Sequence, residues 1–212
     1  MRPWEARRDL YWRLAKERGY RSRSAFKLLE IQRKFGVMRR GDRVLDLGCH
    51  PGGWLQVSSR VVGNEGLVVG VDLKDTRLQL GNVRFVRADV TDGGLPEVLR
   101  TYAPFGYDVL LSDLSPNISG AWELDHARQI SLSRRALELA LGLLKEGGNA
   151  VFKVFQGEDL DPFVREVRRS FSDVHLVKPR ASRPQSSELY VVALGLVRGG
   201  SGAARGRSLT RP

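Results

Sequence analysis

The sequence predicts an α/β fold of the Rossmann-like type, built on a seven-stranded and mostly parallel sheet. From about residue 43 to residue 197, short apolar runs bounded by turn residues alternate with helical patterns, which is typical of βαβ units. No helix-length segment separates the last two runs, so the last strand is expected to be antiparallel. The length of 212 residues suits one good-sized core with extensions.

The elements of the sheet and its covering helices follow from these patterns. Strands are predicted at residues 43–48, 67–72, 83–89, 108–114, 150–155, 173–178 and 189–197. Helices are predicted near residues 54–62, 94–101, 122–145 and 161–171. The third of these helices is expected to end at KEGG, because a cation followed by glycines is a common C-terminal cap.

One more helix is predicted ahead of the first strand. In SAFKLLEIQRKFG the apolar residues Ala25, Leu28, Leu29 and Phe35 recur at helical spacing, and Ser24 is the expected N-cap. This helix is expected to pack on the sheet. At the other end, the tail GGSGAARGRSLTRP, residues 199–212, has almost no apolar content to bury and is predicted to be disordered.

The positive charge lies at the two ends of the chain. Residues 1–43 hold 14 Lys/Arg against 5 Asp/Glu, and residues 178–212 hold 7 against 1, whereas residues 44–177 hold 14 against 18. Aromatic residues interleave with the N-terminal charges, at Trp4, Tyr11, Trp12 and Tyr20. This pattern favours a polyanionic partner such as nucleic acid, the alternative being a solvated basic surface with core aromatics.

Several classes of protein are disfavoured. Without a run of about 18 apolar residues or a signal-peptide core, the chain is expected to be cytoplasmic, with no membrane partner. The one cysteine, Cys49, rules out an internal disulfide and is expected to be a small packed residue. No metal site is expected, because His50, His126 and His175 are scattered along the sequence.

A glycine-rich turn follows the first strand in DLGCHPGGW. Gly48, Gly52 and Gly53 let the backbone turn sharply and approach a ligand closely. The second predicted strand ends at Asp72, whose carboxylate can accept both hydroxyls of a ribose, and the third ends at Asp89, which can hold an adenine amine. Together these features predict an adenosine site without a phosphate cradle, as for S-adenosylmethionine. Each acid taken alone is more often a residue that caps a loop or a helix, and it is the combination that favours the cofactor site.

The stretch VFKVF places a cation, Lys153, in the middle of a strand that is apolar on both faces. An unpaired charge there would cost several kcal/mol, on the order of the usual burial penalty. Asp113 ends the fourth strand, and Glu188 opens the seventh. If the fourth, fifth and seventh strands are neighbours, both acids can meet Lys153 at the carboxyl edge of the sheet.

With these residues the chain resembles the FtsJ/RrmJ (RlmE) family of RNA 2′-O-ribose methyltransferases. The similarity covers roughly residues 10–197 and is carried by YRSRSAFKLLEI, VLDLGCHPGGWLQV, VDL, SDLSPNISG, FKVFQGED and SRPQSSELYVVA. It implies the class I S-adenosylmethionine-dependent methyltransferase fold over residues 43–198, with residues 1–42 as a basic substrate-binding extension. One departure is CHP in the glycine loop, where the family carries small residues before the proline.

The resemblance also implies roles for individual residues. The catalytic tetrad falls on Lys27, Asp113, Lys153 and Glu188. Contacts to S-adenosylmethionine fall on Gly52, Trp54, Asp72, Asp89 and Asp113, although a tryptophan such as Trp54 is more often a packed core residue. Arg21, Arg23 and Lys27 are expected to contact RNA. The expected substrate is a uridine of large-subunit ribosomal RNA, with tRNA as the alternative, and the protein is expected to act as a monomer.

Two other functions stay open from the sequence. An amino methyltransferase is suggested by SDLSPN, but Asn117 and Ile118 follow Pro116 where such enzymes carry an aromatic residue. A noncatalytic RNA-binding or ribosome-assembly module would keep the fold without needing a complete tetrad. Within the methyltransferase interpretation, Lys153 acts either as a neutral general base or as a charged group that stabilises the developing alkoxide.

Overall fold

The computed structural model describes residues 3–183 and 185–198, with side chains from residue 10 onward. The predicted tail at 199–212 and the side chain of Trp4 lie outside this part of the chain. The described residues form, in order, α1 (Pro3–Glu17), α2 (Ala25–Phe35), β1 (Arg43–Leu47), α3 (Gly53–Val62), β2 (Leu67–Asp72), β3 (Val83–Arg87), α4 (Leu95–Tyr102), β4 (Tyr107–Ser112), α5 (Trp122–Leu143), β5 (Leu144–Phe155), α6 (Leu160–Arg168), β6 (Phe171–Val177) and β7 (Glu188–Leu196).

All seven strands belong to one sheet, in the order β3-β2-β1-β4-β5-β7-β6. The pairs β2–β3, β1–β2, β1–β4 and β4–β5 are parallel, whereas β7 is antiparallel to both β5 and β6. The predicted mostly parallel sheet with an antiparallel last strand is therefore confirmed. So is the adjacency of β4, β5 and β7, on which the expected meeting of the site residues depends.

Helices cover the sheet on both faces. On one face, α2 and α3 bury Ala25, Leu28 and Leu55 against the strands, which confirms the predicted packing of the early helix. On the other face, α4, α5 and α6 form a second cluster with residues such as Leu99 and Phe163. Because both faces are covered, the central strands are mainly apolar between their ends, and a charged side chain inside them needs an explanation.

The boundary between α5 and β5 differs from the prediction. KEGG is not the cap of α5: the helix ends at Leu143, and Leu144 is already extended and opens β5, six residues earlier than expected. Leu144 pairs with Tyr107, and the register then shifts before Val109 meets Asn149. The glycines of KEGG lie in this irregular stretch because the strand starts pairing before it becomes regular.

Two features of the N-terminal region also differ. Helix α1 was not predicted, because its sequence lacks a clear apolar stripe, and Leu10 and Trp12 are exposed on it. Ser24 does precede α2, but its side chain makes no cap hydrogen bond; its Oγ instead lies 2.7 Å from the Oγ of Ser22. Among the described helices, none is long and apolar enough to cross a membrane.

The glycine at 148 is required by the backbone around it. A Cβ at this position would lie 2.9 Å from the carbonyl oxygen of Lys145 and 3.0 Å from that of Asp108. Gly148→Ala should therefore lower the free energy of unfolding by ~1–3 kcal/mol, measured by chemical denaturation. Gly142, near the end of α5, faces open space. Gly142→Ala is the matched control and should stabilise by ~0.5–1 kcal/mol. Equal effects of the two changes would contradict this account of the KEGG segment.

Candidate active site

The carboxyl edge of the sheet brings together the ends of several strands. Leu47 of β1 is level with Ser112 of β4, and Ser112 is level with Phe152 of β5. Asp113 therefore starts its loop beside Lys153, since each is the next residue along its own strand. On the other side of β5, Lys153 lies opposite Tyr190 of β7. Residues opposite one another in an antiparallel pair share a face of the sheet.

Two ion pairs form at this edge. The Nζ of Lys153 donates to the carbonyl oxygen of Asp113 at 2.9 Å and to its carboxylate Oδ1 at 3.2 Å. The Nζ of Lys27 donates to Oε1 of Glu188 at 2.5 Å. The hydroxyl of Tyr190 links the pairs, because it donates to Asp113 Oδ1 at 2.8 Å and lies 3.4 Å from the Nζ of Lys27. The four predicted tetrad residues thus lie in one connected group.

The pairing within the group corrects one expectation. Lys153 was expected between two acids, but among the described residues its ion pair is with Asp113, and Glu188 pairs with Lys27. The reason is the strand register: Glu188 lies opposite Phe155, two residues beyond Lys153, where α2 delivers Lys27. Glu188 also accepts a hydrogen bond from the Oγ of Ser182 at 3.0 Å.

The backbone under Lys153 is held from the opposite face of the sheet. Its carbonyl oxygen accepts hydrogen bonds from Gln129 Nε2 at 3.0 Å and from Ser133 Oγ at 2.9 Å, both on α5. The same Gln129 nitrogen lies 3.2 Å from the carbonyl oxygen of Leu114, which follows Asp113. Helix α5 therefore ties the ends of β4 and β5 together where the ion pair forms.

Tyr190 is a site residue that the sequence analysis missed. Burial raises the pKa of its hydroxyl well above the usual range, and the nearby carboxylates of Asp113 and Glu188 raise it further. The hydroxyl therefore stays protonated and serves as a donor to Asp113. Its position two residues after Glu188 on the same strand was the available signal, since such residues share a face.

The glycine loop lies against the same edge. Gly48 has a φ of +75°, and a Cβ there would lie 2.9 Å from the backbone nitrogen of Leu114. A side chain at Gly48 would therefore displace the loop that begins at Asp113. On the other side, a Cβ at Gly53 would overlap the Oγ of Ser22, so the N-terminal segment packs directly on this loop. Gly52, with a φ of +109°, completes the turn.

The acids predicted to hold the cofactor have partners of their own. Asp72 accepts the backbone N–H of His50 at 2.9 Å through Oδ2, which fixes the glycine loop. Asp89 accepts the N–H of Thr91 at 2.9 Å and its hydroxyl at 2.7 Å, and these bonds lower the pKa of Asp89. Both acids lie at the carboxyl edge, and both also serve the loop-capping role that was the alternative.

Trp54 is packed in the core. Its side chain is 2% exposed, its Nε1 donates to the carbonyl oxygen of Ser24 at 2.9 Å, and its ring lies 5.7 Å from that of Tyr190. A cofactor contact at this position would therefore come from the backbone. Cys49 is likewise buried, and burial raises the pKa of its thiol, so it is a packed residue as expected.

Asp46 is a second residue that the sequence analysis missed. It lies in β1, two residues before Gly48, is 0% exposed, and neither carboxylate oxygen has a hydrogen-bond partner among the described residues. Burial raises the pKa of its carboxyl well above the usual range, and the charges of Asp113 and Asp72 add to the shift. An acid inside an otherwise apolar strand was the signal for it, as for Lys153.

The arginines predicted to contact RNA bond to protein carbonyl groups. The guanidinium of Arg21 donates to the carbonyl oxygens of Thr76 and Arg77, the latter at 2.9 Å, and so holds the loop after β2. Arg23 donates to the carbonyl oxygen of Ala181 at 2.7 Å. Both side chains thus shape the walls of the site, and their contact with RNA stays a prediction.

Comparison with known proteins identifies the family. The family model described as FtsJ-like methyltransferase matches residues 20–196, which is most of the chain. The chain belongs to the FtsJ-like methyltransferase family. The four tetrad residues therefore lie together in a member of the family that the sequence motifs resemble. The chain is an enzyme of the methyltransferase class.

Curated relatives within the FtsJ-like family are similar over nearly the whole chain. A protein of Methanocaldococcus jannaschii is 45% identical over 193 residues, covering 89% of this chain and 79% of its own. One of Cenarchaeum symbiosum is 46% identical over 195 residues, covering 92% of this chain and 98% of its own. Both relatives are named ribosomal RNA large subunit methyltransferase E.

Solved structures support the fold. A Plasmodium falciparum protein named for ribosomal RNA methylation matches with a TM-score of 0.76 and 25% identity, covering 84% of this chain and 98% of its own. The MycE methyltransferase of mycinamycin biosynthesis matches with a TM-score of 0.55 and 17% identity, over 87% of this chain and 51% of its own. The second likeness shows the fold alone.

Within the described residues, no group of three or more His, Cys, Asp or Glu has metal-site geometry.

The buried Asp46 predicts a pH-dependent stability. An acid whose pKa rises on folding costs stability above its unfolded pKa of about 3.9, by about 1.4 kcal/mol per pH unit until the folded pKa is reached. Asp46→Asn removes this cost. The stability of the variant relative to wild type should therefore increase as the pH rises above about 4, as measured by chemical denaturation. A stability difference that stays constant with pH would show that Asp46 does not titrate in this way.

Proposed function

We propose that the chain transfers a methyl group from S-adenosylmethionine to a ribose 2′-hydroxyl of RNA. The observation that carries this proposal is the Lys153–Asp113 ion pair, held next to the glycine loop and linked through Tyr190 to Lys27 and Glu188. An amine acceptor needs no such set of lysines and acids. A noncatalytic module would have no need for two nearly buried ion pairs at a sheet edge.

The donor and acceptor groups of the site fit S-adenosylmethionine. The two carboxylate oxygens of Asp46 are buried and have no hydrogen-bond partner in the described part of the chain, so they suit a cationic N–H donor such as the methionine ammonium. The half-buried carboxylate of Asp72 would accept the ribose hydroxyls, and the exposed Asp89 would accept the adenine amine. Gly48, Gly52 and Gly53 would keep side chains away from the cofactor. Once bound, S-adenosylmethionine supplies an electrophilic methyl group on its sulfonium.

Lys153 acts on the acceptor hydroxyl. Two of its hydrogen-bond contacts go to the carbonyl and carboxylate oxygens of Asp113, so an ammonium keeps one N–H for the substrate oxygen. A neutral amine with the same two contacts keeps its lone pair instead. The ammonium would stabilise the developing alkoxide, whereas the amine would remove the proton. In both cases the hydrogen bonds to Asp113 orient the Lys153 nitrogen toward the acceptor hydroxyl.

Charge and position support an RNA strand as the substrate. The net charge is +11, and the positive excess lies at both ends of the chain, including the N-terminal extension that forms one wall of the site. Lys27 lies on that wall, while Arg21 and Arg23, already bonded to protein carbonyls, would attract the phosphates through their charge. A site that acts on the 2′-hydroxyl also distinguishes RNA from DNA.

The names of the relatives support one class of RNA substrate. Curated relatives at 45% and 46% identity carry the name ribosomal RNA large subunit methyltransferase E, which supports large-subunit ribosomal RNA as the substrate. We propose that the acceptor nucleotide is a uridine. We further propose that the reaction takes place in the cytoplasm and that the chain acts as a monomer. Transfer RNA is the competing substrate.

Two substitutions at Lys153 separate its roles. Lys153→Ala should reduce methylation by on the order of 100-fold or more, while the dissociation constant for S-adenosylmethionine changes by only a few fold. Lys153→Arg keeps a permanent charge but cannot accept a proton. Turnover of the arginine variant well above that of the alanine variant would assign the stabilising role, and equal turnover the general base. Near-wild-type turnover of Lys153→Ala would refute the assignment.

Methyl transfer to purified RNA tests the target. The protein is incubated with labelled S-adenosylmethionine and either large ribosomal subunits or bulk tRNA, and the RNA is then digested with alkali. Label should appear in an alkali-resistant dinucleotide of large-subunit RNA, because a 2′-O-methyl group blocks cleavage of the next phosphodiester bond. Lys153→Ala protein is the blank. Label in tRNA alone would show that tRNA is the substrate instead of large-subunit RNA. Label in alkali-sensitive material would exclude ribose methylation.

A further inference from the structure

A stack of three aromatic side chains lies next to the tetrad. The ring of Trp122, the first residue of α5, is 5.9 Å from that of His126 at an interplanar angle of 25°. It is 6.2 Å from that of Phe155 at 22°. His126 and Phe155 are buried, whereas Trp122 is 51% exposed. The indole therefore packs on the protein through its inner surface and presents the rest to solvent.

His126, on which Trp122 packs, is itself held by packing and by a hydrogen bond. A Cβ at Gly157 would lie 2.6 Å from Nδ1 of His126, so the segment after β5 packs directly on this imidazole. The Nε2 of His126 also accepts the backbone N–H of Asp159 at 3.2 Å. The glycine at 157 thus leaves room for the imidazole of His126, on which Trp122 packs. A platform held in this way loses little side-chain entropy when a ligand binds to it.

The loop that leads from Asp113 into Trp122 is fixed as well. Asp125 accepts the backbone N–H of Ser119 at 2.8 Å, its hydroxyl at 2.8 Å, and the N–H of Gly120 at 3.0 Å. These bonds lower the pKa of Asp125. The exposed indole therefore has a defined position relative to Asp113 at the other end of the loop.

Phe155 connects the aromatic stack to the tetrad. Phe155 is two residues beyond Lys153 on β5, about 7 Å along the strand, and it lies opposite Glu188. The ring centroid of Trp122 lies a further 6.2 Å from that of Phe155. An acceptor ribose at Lys153 would therefore place the next nucleotide of its strand within reach of the exposed indole.

We propose that the exposed face of Trp122 stacks an unpaired base of the substrate RNA, that of a nucleotide next to the acceptor. This inference rests on the proposed function, since it takes the acceptor to be a ribose at Lys153. A planar base matches a planar, half-exposed ring, and unpaired RNA is commonly recognised by aromatic stacking. A polyanion suits the net charge of +11 better than an apolar protein surface does.

The test combines protein and RNA changes. Trp122→Ala should raise the dissociation constant for a substrate RNA oligonucleotide by about 5- to 150-fold, and Trp122→Phe should retain most of the affinity. The slope of binding against salt should not change, because no phosphate contact is removed. Trp122→Leu keeps an apolar side chain on Phe155 without a planar ring, and serves if the alanine variant folds poorly. Phe105→Ala, at an 85% exposed aromatic ahead of β4 on the opposite edge, is the control and should bind like wild type.

An abasic oligonucleotide separates stacking from a general loss of structure. Removing one flanking base should weaken binding to wild type by the same factor, and should not weaken binding to Trp122→Ala further. Insensitivity of wild type to both flanking abasic sites would overturn the proposal, as would unchanged RNA binding by Trp122→Ala and Trp122→Leu. If wild type binds RNA with this dependence but transfers no methyl group, the proposed function fails and the stacking site stands.

Discussion

The buried side-chain nitrogen of Lys153 is the constraint on which the rest of the site depends. Its side chain is 8% exposed, inside a sheet covered on both faces, so its charge needs close partners. Asp113 supplies two oxygens, and the register of β4 and β5 puts them within hydrogen-bond distance. Gln129 and Ser133 hold the strand from behind. The sheet therefore positions a reactive nitrogen with very little freedom to move.

The N-terminal extension is part of the same unit. Ser22 packs on Gly53, Arg21 holds the loop after β2, and Lys27 completes the second ion pair. The segment that carries much of the positive charge thus forms a wall of the cofactor region as well as the expected path of the RNA. Tyr190 joins this wall to the sheet through one hydroxyl. Binding of RNA and of cofactor would therefore act on shared contacts.

Patterns local in sequence were sufficient for most of the fold. The seven strands and their orientation were predicted from strands that are apolar on both faces. The carboxyl edge was predicted as the site from glycine turns and from acids at the ends of strands. They failed at Leu144, where the strand begins early because Tyr107 pairs with it across an irregular register. They also failed at α1, whose exposed Leu10 and Trp12 give no clear stripe. At Leu144 a contact with a distant strand decides where the element begins.

The sequence by itself determined the fold class, the family resemblance and the set of charged residues that meet at the edge. Only the tertiary structure decided which acid each lysine pairs with and that Tyr190 connects the two pairs. It also decided that Asp46 is buried with no hydrogen-bond partner among the described residues. The physical reason is that these contacts depend on the offset between β5 and β7 and on the docking of α2. A single strand or helix carries its own periodicity, but it does not carry its register against another.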